Sequence, residues 1–299
     1  MTSDGSATTR PRRSVLYMPG SNARALEKAK SLPADALILD LEDAVAPDVK
    51  AEARAQVCSA VRDGGYGDRE IIIRVNGADT PWGEDDLKAA AVAGADAILL
   101  PKVESAQMVQ NAAEIITIAG APETVDLWCM METPRGILRA EEIAGASPRL
   151  TCFVMGTSDL TKDLHSRHTP ERMPMLPSLA YCLLAARADG LAILDGVYLD
   201  LKNDEGFRDA CVQGLELGFD GKTLIHPSQV APANEVFGPS KEEVDLSRRI
   251  MEAFAEAEAA GKAVAVVDGK LVEVLHVENA KRVVGLADAI ARMSATDPA

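Results

Sequence analysis

Residues 36–43 read ALILDLED, an apolar run that ends in three acidic side chains. A short run rich in Leu and Ile is typical of a strand buried on both faces of a parallel sheet. Acidic residues directly after it fit the carboxyl end of such a strand, where barrels of this kind carry their sites. The stretch therefore predicts a strand of an α/β fold with polar chemistry at its end.

Seven more runs of this kind occur along the chain. The eight are Val15–Pro19, Ala36–Leu41, Glu70–Val75, Ala97–Pro101, Asp126–Met131, Leu150–Met155, Ala192–Tyr198 and Lys222–Ile225. Between them lie candidate helices at Asn22–Ser31, Val49–Arg62, Gly83–Ala93, Ser105–Ile118, Arg135–Ala144, Ser178–Ala188 and Glu205–Leu217. Eight strands with seven intervening helices close most simply into a (β/α)8 TIM barrel, and a doubly wound open sheet is the alternative.

Three segments follow from this pattern. We expect a flexible polar tail at residues 1–12, a catalytic barrel at residues 13–239, and a C-terminal helical extension at residues 240–299. The extension contains a long amphipathic helix, Ser240–Ala260, and a mostly helical stretch, Lys270–Arg292. Because it exceeds what one barrel helix needs, we expect it to pack elsewhere, such as on a neighbouring subunit.

The amino-acid composition restricts which binding partners and which cellular compartment we expect. The 31 Lys and Arg against 46 Asp and Glu give a net charge of −15, which argues against nucleic acid as a main partner. Five scattered cysteines suit free thiols in a reducing compartment. The polar N-terminus is not followed by an apolar stretch of the length that a signal peptide or membrane span needs. We therefore expect a cytoplasmic protein without a membrane partner.

Polar side chains accumulate where the predicted strands end. They are Asp40, Glu42, Asp43, Arg74, Asn76, Lys102, Glu104, Glu132, Asp159, Asp195 (within the seventh strand) and His226. In a barrel these positions converge on one face. Glu132 and Asp159, from adjacent strands, can share one hard cation such as Mg²⁺, with water and substrate oxygens completing an octahedron. The alternative is that each carboxylate only caps the following helix.

Arg74 follows a strongly apolar strand, where a guanidinium needs an anion. It can hold a substrate carboxylate or stabilise an enolate oxygen, or it can form a structural salt bridge to the acids of residues 40–43. Those acids can orient metal-bound water or serve as an ion-pair cluster. Lys102 resembles a Schiff-base lysine only by position, and a structural role for His226 is at least as well supported as a ligand contact.

The segments RRSVLYMPGSNARALEKA, LILDLEDAV, IIIRVNG, LLPKVES, METPRG, VMGTSDL, ILDGVYLD and GFDGKTLIHPSQV resemble the citrate lyase β-subunit-like branch of the HpcH/HpaI aldolase family. Their order matches from about residue 13 to the end. The resemblance implies a (β/α)8 barrel, a Mg²⁺ cofactor with Mn²⁺ as a substitute, acyl-CoA thioester substrates, and a homo-oligomer that is a trimer or hexamer.

The resemblance also assigns roles to residues. It makes Glu132 and Asp159 the metal ligands, Glu132 and Arg74 substrate contacts, and places Tyr17 and Lys28 near CoA. Asn22 stands where some relatives have an arginine. The segment VVDGKLVEVLHVENA resembles a C-terminal lid that reaches an adjacent subunit and supplies an acid–base carboxylate, here Glu273 where many relatives have Asp. Arg74, Glu273 and Asp43 are therefore the expected catalytic residues.

Among subgroups, LWCMMET, VMGTSDLTKDL, LLAARADGLAILDGVY and VDGKLVE are most similar to (3S)-malyl-CoA thioesterases. This similarity favours hydrolysis of (3S)-malyl-CoA to malate and CoA. The first alternative is a C–C lyase that cleaves malyl-CoA, β-methylmalyl-CoA or citramalyl-CoA to a 2-oxo acid and an acyl-CoA. The more distant alternative is a metal-dependent aldolase of free 2-oxo acids.

Overall fold

A computed structural model of the chain describes residues 10–296, and eight parallel strands in it close into a barrel in sequence order. The strands are β1 (Ser14–Pro19), β2 (Ala36–Asp40), β3 (Glu70–Arg74), β4 (Ala97–Leu100), β5 (Asp126–Met131), β6 (Leu150–Met155), β7 (Ala192–Asp195) and β8 (Gly221–Leu224). The barrel closes where Ser14 of β1 pairs with Lys222 of β8. The predicted barrel is therefore confirmed.

Helices follow the strands and continue into the C-terminal region. They are α1 (Ala23–Ala29), α2 (Lys50–Asp63), α3 (Gly83–Ala91), α4 (Ala106–Ile118), α5 (Pro134–Leu138), α6 (Ala140–Ala144), α7 (Thr157–Asp163), α8 (Leu176–Ala188), α9 (Asp204–Leu217), α10 (Val230–Phe237), α11 (Lys241–Ala259) and α12 (Val274–Thr296). Short 3-10 helices precede α2 and α10, at Pro47–Val49 and Pro227–Gln229. No helix among the described residues is long and apolar enough to cross a membrane.

Several predicted elements differ from those observed. β7 stops at Asp195 instead of Tyr198, and the carboxylate of Asp195 accepts a hydrogen bond from the backbone N–H of Gly196. The helix predicted over Arg135–Ala144 is divided at Arg139, whose φ of −116° and ψ of 17° leave the helical region. Sequence patterns also missed α7 and α10, because α7 is short and polar and α10 contains a proline.

The barrel interior is a packed core. Its buried side chains are Val15, Ala36, Ile38, Ile72, Ala97, Leu99, Trp128, Met130, Cys152, Val154 and Leu194. At the amino-terminal end of the strands, the guanidinium of Arg12 lies 4.8 Å from the Trp128 ring and donates two 2.7 Å hydrogen bonds to Glu70. Arg12 is thus fixed, although we expected it in the flexible tail; residues 1–9 of that tail lie outside the described residues.

The described chain forms two compact units, residues 12–237 and a unit that contains residues 238–296. In the second unit, α11 starts at a capping box between Ser240 and Glu243. The stretch Lys270–Arg292, predicted to be mostly helical, begins instead with a strand, β10 (Lys270–Val272), paired antiparallel with β9 (Ala265–Val267). Asp268 and Gly269 form the turn with positive φ, which is why helix cannot begin before it.

Candidate active site

A cavity of about 320 Å³ opens among the carboxyl ends of the barrel strands. It brings together six residues singled out from the sequence, and these are Tyr17, Asp40, Asp43, Arg74, Glu132 and Asp159. Each comes from a strand or from the segment directly after one, where parallel strands of a barrel converge. The cavity is therefore the candidate active site.

Glu132 immediately follows β5 and is almost fully buried, with 1% of its surface exposed. Its Oε1 accepts a 2.8 Å hydrogen bond from the backbone N–H of Lys102. Its Oε2 has no hydrogen-bond partner among the described residues. Burial, and then the negative charge of Glu42, raise the pKa of Glu132 to about 7, although the Lys102 N–H and the charges of Arg74 and Lys102 oppose this.

Gly156 sets the limit of the space around that carboxylate. A Cβ atom at this position would overlap Cβ and Oε2 of Glu132. The backbone of Gly156 has φ −100°, which any residue can adopt, so the constraint is steric. A glycine between β6 and α7 therefore lets Glu132 occupy its position.

Asp159 lies in the first turn of α7, but no described side chain makes a capping hydrogen bond at this helix start, so the alternative of a carboxylate that caps the helix is not observed for it. Its side chain is 27% exposed and lies 3.3 Å from the ammonium of Lys162, which is itself exposed. An exposed pair at this distance holds a carboxylate weakly. Asp159 is thus available to a ligand in the cavity that it shares with Glu132.

Arg74 is buried at the end of β3 and forms the salt bridge to the acids of residues 40–43 that we gave as the alternative. Its Nε and Nη2 each donate a 2.7 Å hydrogen bond to Asp40. Its Nη1 lies 3.0 Å from Glu42 and 3.6 Å from Asp43. Burial lowers the pKa of Arg74, but the neighbouring Asp40 and the other partners outweigh burial and raise it, so the guanidinium stays charged.

The ring of Tyr17 lies beneath the same guanidinium, 4.8 Å from Arg74 Cζ. The Tyr17 hydroxyl donates to Met130 Sδ at 3.4 Å, and burial raises the pKa of Tyr17. Tyr17 is therefore a neutral wall of the cavity that supports Arg74.

The acidic loop after β2 is held from behind by hydrogen bonds. Asp40 accepts from the backbone N–H of Glu42 at 2.9 Å and of Ala44 at 3.0 Å. Buried Lys50 donates to the carbonyls of Leu41 and Glu42, at 2.9 and 2.8 Å. These bonds fix the orientation of the loop that carries Glu42 and Asp43, which supports the interpretation of these acids as an ion-pair cluster. Asp43 stays exposed at the cavity.

The charges of the cavity fit a divalent cation. Its lining contains four carboxylates, from Asp40, Asp43, Glu132 and Asp159, and one cationic side chain, Arg74. Glu132 Oε2 has no hydrogen-bond partner among the described residues, and Asp159 has only ion pairing with the exposed Lys162. No group of three or more His, Cys, Asp or Glu side chains within residues 10–296 forms a preformed metal site. A cation held by two carboxylates, with water and substrate completing the shell, is the arrangement that Mg²⁺ favours.

Two predicted residues lie away from this cavity. Lys28 is on the exposed side of α1 and does not line it. Glu273 lies in the C-terminal unit between β10 and α12, with its side chain exposed and its backbone N–H bonded to His276 Nδ1 at 3.0 Å. Their roles at CoA and in acid–base chemistry stay predictions. His226 caps the 3-10 helix Pro227–Gln229, which is the structural role we weighed for it.

Asp195 was grouped with the polar strand ends, but the structure places it outside the candidate active site. It is fully buried and forms 2.7 Å ion pairs with Lys222 and Arg172. Burial raises its pKa, yet the two cations outweigh burial and lower it. Both cations belong to a second cavity of about 310 Å³, which shares Thr157 and Val197 with the first.

Sequence reasoning missed the structural importance of three residues. Lys102 was considered only for its side chain, whereas its backbone N–H binds Glu132. Gly156 was not among the residues singled out from the sequence. Lys222 was read as part of a strand, although it neutralises Asp195. Only Gly156 carries a sequence signal, since a glycine directly between a strand and a helix indicates close packing.

Comparisons with known proteins identify the family of the chain and its relatives. The profile of the family described as HpcH/HpaI aldolase/citrate lyase matches residues 13–227, which confirms the resemblance drawn from the motifs. A (3S)-malyl-CoA thioesterase of Cereibacter sphaeroides is 54% identical over 286 residues, covering 96% of this chain and 98% of that protein. The citrate lyase subunit beta of Escherichia coli is 39% identical and covers 94% of both chains.

Solved structures share the fold. The protein CitE from Mycobacterium tuberculosis, in complex with magnesium, acetoacetate and coenzyme A, has a TM-score of 0.70 and 28% sequence identity. The match covers 94% of this chain and 97% of that one. A barrel with the same course of chain therefore binds magnesium and coenzyme A in that relative.

Proposed function

The chain belongs to the HpcH/HpaI aldolase/citrate lyase family, and from this premise we propose that it hydrolyses (3S)-malyl-CoA to malate and CoA with Mg²⁺ as cofactor. The observation that carries the proposal is the 54% identity to (3S)-malyl-CoA thioesterases across nearly the whole of both chains. The cavity that Glu132, Asp159 and Arg74 line together also supports the proposal.

Glu132 and Asp159 would hold the cation. A bound Mg²⁺ supplies a Lewis acid next to the oxygens of the malyl group. The magnesium complex of the related CitE supports magnesium as the cation. Mn²⁺, which accepts the same oxygen ligands, would substitute for it.

Arg74 would stabilise the charge that develops on the thioester oxygen. Asp40 and the Tyr17 ring fix its guanidinium before substrate arrives, so little reorganisation is needed during the reaction. In hydrolysis, water adds to the thioester carbonyl, the C–S bond breaks, and the sulfur leaves as the CoA thiolate and takes up a proton. Asp43, exposed at the cavity beside Arg74, is the nearby carboxylate that would accept the proton of the attacking water.

Glu273 would act at the site of an adjacent subunit in a homo-oligomer, a trimer or hexamer. The C-terminal unit exposes apolar side chains on both sides of Glu273 in sequence, Leu271 at 55%, Val274 at 57% and Leu275 at 60%. Exposed apolar clusters of this kind mark interaction surfaces. Mixing Glu132→Gln subunits with Glu273→Gln subunits tests the arrangement, because shared sites would recover activity that neither variant has alone.

Cleavage of the C–C bond is the second candidate, because this chain is also 39% identical to a citrate lyase subunit beta. It would release glyoxylate and acetyl-CoA from malyl-CoA. Incubation with (3S)-malyl-CoA and Mg²⁺, with free thiol, malate and glyoxylate followed separately, distinguishes the two. Thiol and malate in equal amounts would support the thioesterase, and glyoxylate without thiol would support the lyase.

The compartment that we propose is the cytoplasm. All five cysteines of the chain lie among the described residues, and each is a buried free thiol. Burial raises the pKa of Cys182 to about 12 and that of Cys211 to about 11, so these thiols are unreactive at neutral pH.

A further inference from the structure

Lys102 adopts a backbone conformation that is unusual for its residue type. It follows β4 and Pro101 with φ 48°, in the left-handed region that favours Gly and Asn. Three other non-glycine residues among those described, His165, Arg172 and Asp268, also have positive φ. Of the four, Lys102 is the one whose backbone N–H binds a carboxylate of the candidate active site.

The contact that results from this conformation is specific. The Lys102 N–H donates to Glu132 Oε1 at 2.8 Å, and Gly156 leaves no room beyond Oε2 for any bulkier residue. The carboxylate is thus confined from two sides. One oxygen is occupied by a backbone donor, and the other remains for a ligand.

We propose that Lys102 is a positioning residue whose left-handed backbone aims its amide N–H at Glu132 Oε1 and thereby presents Oε2 to the divalent cation. The inference rests on the proposed function in one respect, that Glu132 is a ligand of the cation. Donors to the non-coordinating atoms of metal ligands commonly fix ligand orientation, and their loss lowers metal affinity about 10- to 100-fold.

The side chain of Lys102 holds this conformation in place. Its ammonium forms a close ion pair with Glu42 Oε1, while Glu42 Oε2 lies 3.0 Å from Arg74 Nη1. The ion pair offsets the unfavourable backbone conformation. Lys102 therefore links two acids of the site, one through its main chain and one through its side chain.

Four substitutions separate the backbone role from the side-chain role. Lys102→Asn and Lys102→Gly remove the ammonium but accept positive φ, whereas Lys102→Val removes the ammonium and disfavours positive φ. Lys102→Arg retains a cation. Mg²⁺ affinity of the metal-free proteins is measured by calorimetry, with Mn²⁺ counted by electron paramagnetic resonance as a second readout. Circular dichroism and thermal midpoints establish that each variant folds.

The proposal predicts that K102N and K102G bind Mg²⁺ within about threefold of each other and that K102V binds at least about tenfold more weakly than K102N. Equal affinity of K102V and K102N would overturn it. If K102V does not fold, Lys102→Ala is compared with K102G, and an affinity at least about threefold lower for K102A is expected, because the added Cβ disfavours positive φ.

Glu132→Gln tells the two possible failures apart. Loss of Mg²⁺ binding in E132Q together with equal binding by K102V and K102N would contradict only the role of Lys102. Unchanged Mg²⁺ binding in E132Q would overturn the proposed metal site, and the role of Lys102 with it.

Discussion

Asp40 holds Arg74 by two parallel 2.7 Å hydrogen bonds, from Nε to Oδ1 and from Nη2 to Oδ2. The third guanidinium nitrogen, Nη1, forms ion pairs with Glu42 at 3.0 Å and Asp43 at 3.6 Å. The pair is buried, with 8% of the Arg74 side chain and 1% of the Asp40 side chain exposed. The guanidinium is thus oriented by the protein before any ligand binds, which is the condition for electrostatic catalysis without reorganisation.

Arg74→Lys tests that function of the pair. One ammonium cannot span both oxygens of Asp40 and also reach a thioester oxygen, so we expect kcat to fall roughly 10²–10³-fold. Steady-state kinetics with (3S)-malyl-CoA provide the measurement. Arg54→Lys is the matched control, because Arg54 donates a 2.6 Å hydrogen bond to buried Asp86 outside the cavity. Equal kcat values for the two variants would contradict the role of Arg74.

Gly156→Ala tests the confinement of Glu132. The added methyl group would displace the carboxylate, and we expect Mg²⁺ to bind about tenfold more weakly and to raise the thermal midpoint less than in the wild type. Gly145→Ala is the control, because its added methyl would meet only Asp189 Oδ1, at 3.5 Å. A Mg²⁺-induced rise in midpoint that is identical in both variants would refute this steric account.

Lys50→Met tests the support of the acidic loop. The substitution removes the two Lys50 hydrogen bonds to the carbonyls of Leu41 and Glu42, which keep the Asn76 amide and the Val45 N–H as donors. We expect a loss of roughly 1–3 kcal/mol in the free energy of unfolding. Urea denaturation measures it. Lys88→Met serves as the control, because Lys88 forms only an exposed pair with Glu84 and its loss should leave the unfolding midpoint nearly unchanged. Equal midpoints would show that the loop does not depend on Lys50.

The pH dependence of stability should reflect Asp195. Its folded pKa is lowered, so its ion pairs stabilise the protein above the unfolded pKa of about 3.9 and lose that effect as the pH falls through the folded value. Asp195→Asn also leaves Lys222 buried and unpaired, and we expect it to cost roughly 3–5 kcal/mol at pH 7.

Urea midpoints of wild type and D195N, measured from pH 8 down to the lowest pH at which wild type folds, give the comparison. The difference should be constant above about pH 5 and narrow below about pH 4. A difference that grows on acidification would have the wrong sign for this account.

Glu273→Gln tests the C-terminal carboxylate. Because this side chain is exposed and forms no hydrogen bond or ion pair among the described residues, we expect the thermal midpoint to stay unchanged while kcat falls roughly 10²–10⁴-fold. Glu278→Gln, another exposed acid of the same unit, should retain full activity. If E273Q were as active as E278Q, an acid–base role for Glu273 would be ruled out.

The barrel could be predicted from the sequence because its strands are buried on both faces, and such strands appear as unbroken apolar runs such as Ala36–Leu41. Element ends were less predictable. Arg139 leaves the helical conformation in the middle of a helical pattern, and Lys270–Val272 becomes a strand through hairpin pairing with Ala265–Val267, just before the stretch predicted to be helical.

The members of the candidate site were predictable because they follow strands that must converge, as Glu132 and Arg74 do. Their mutual contacts were not. Nothing in the string PKVES indicates that Lys102 takes positive φ, or that its N–H meets a glutamate thirty residues later. Asp195 was misplaced because its partner, Lys222, comes from the next strand and removes its charge from the site.

Reaction in ¹⁸O-labelled water tests the central claim most directly. The protein is incubated with (3S)-malyl-CoA and Mg²⁺ in labelled water, alongside E132Q, and the products are analysed by mass spectrometry. Hydrolysis predicts malate that carries one ¹⁸O in the carboxylate derived from the thioester, together with free CoA, and neither product from E132Q. Acetyl-CoA and glyoxylate without labelled malate, or labelled malate formed equally by E132Q, would contradict the account.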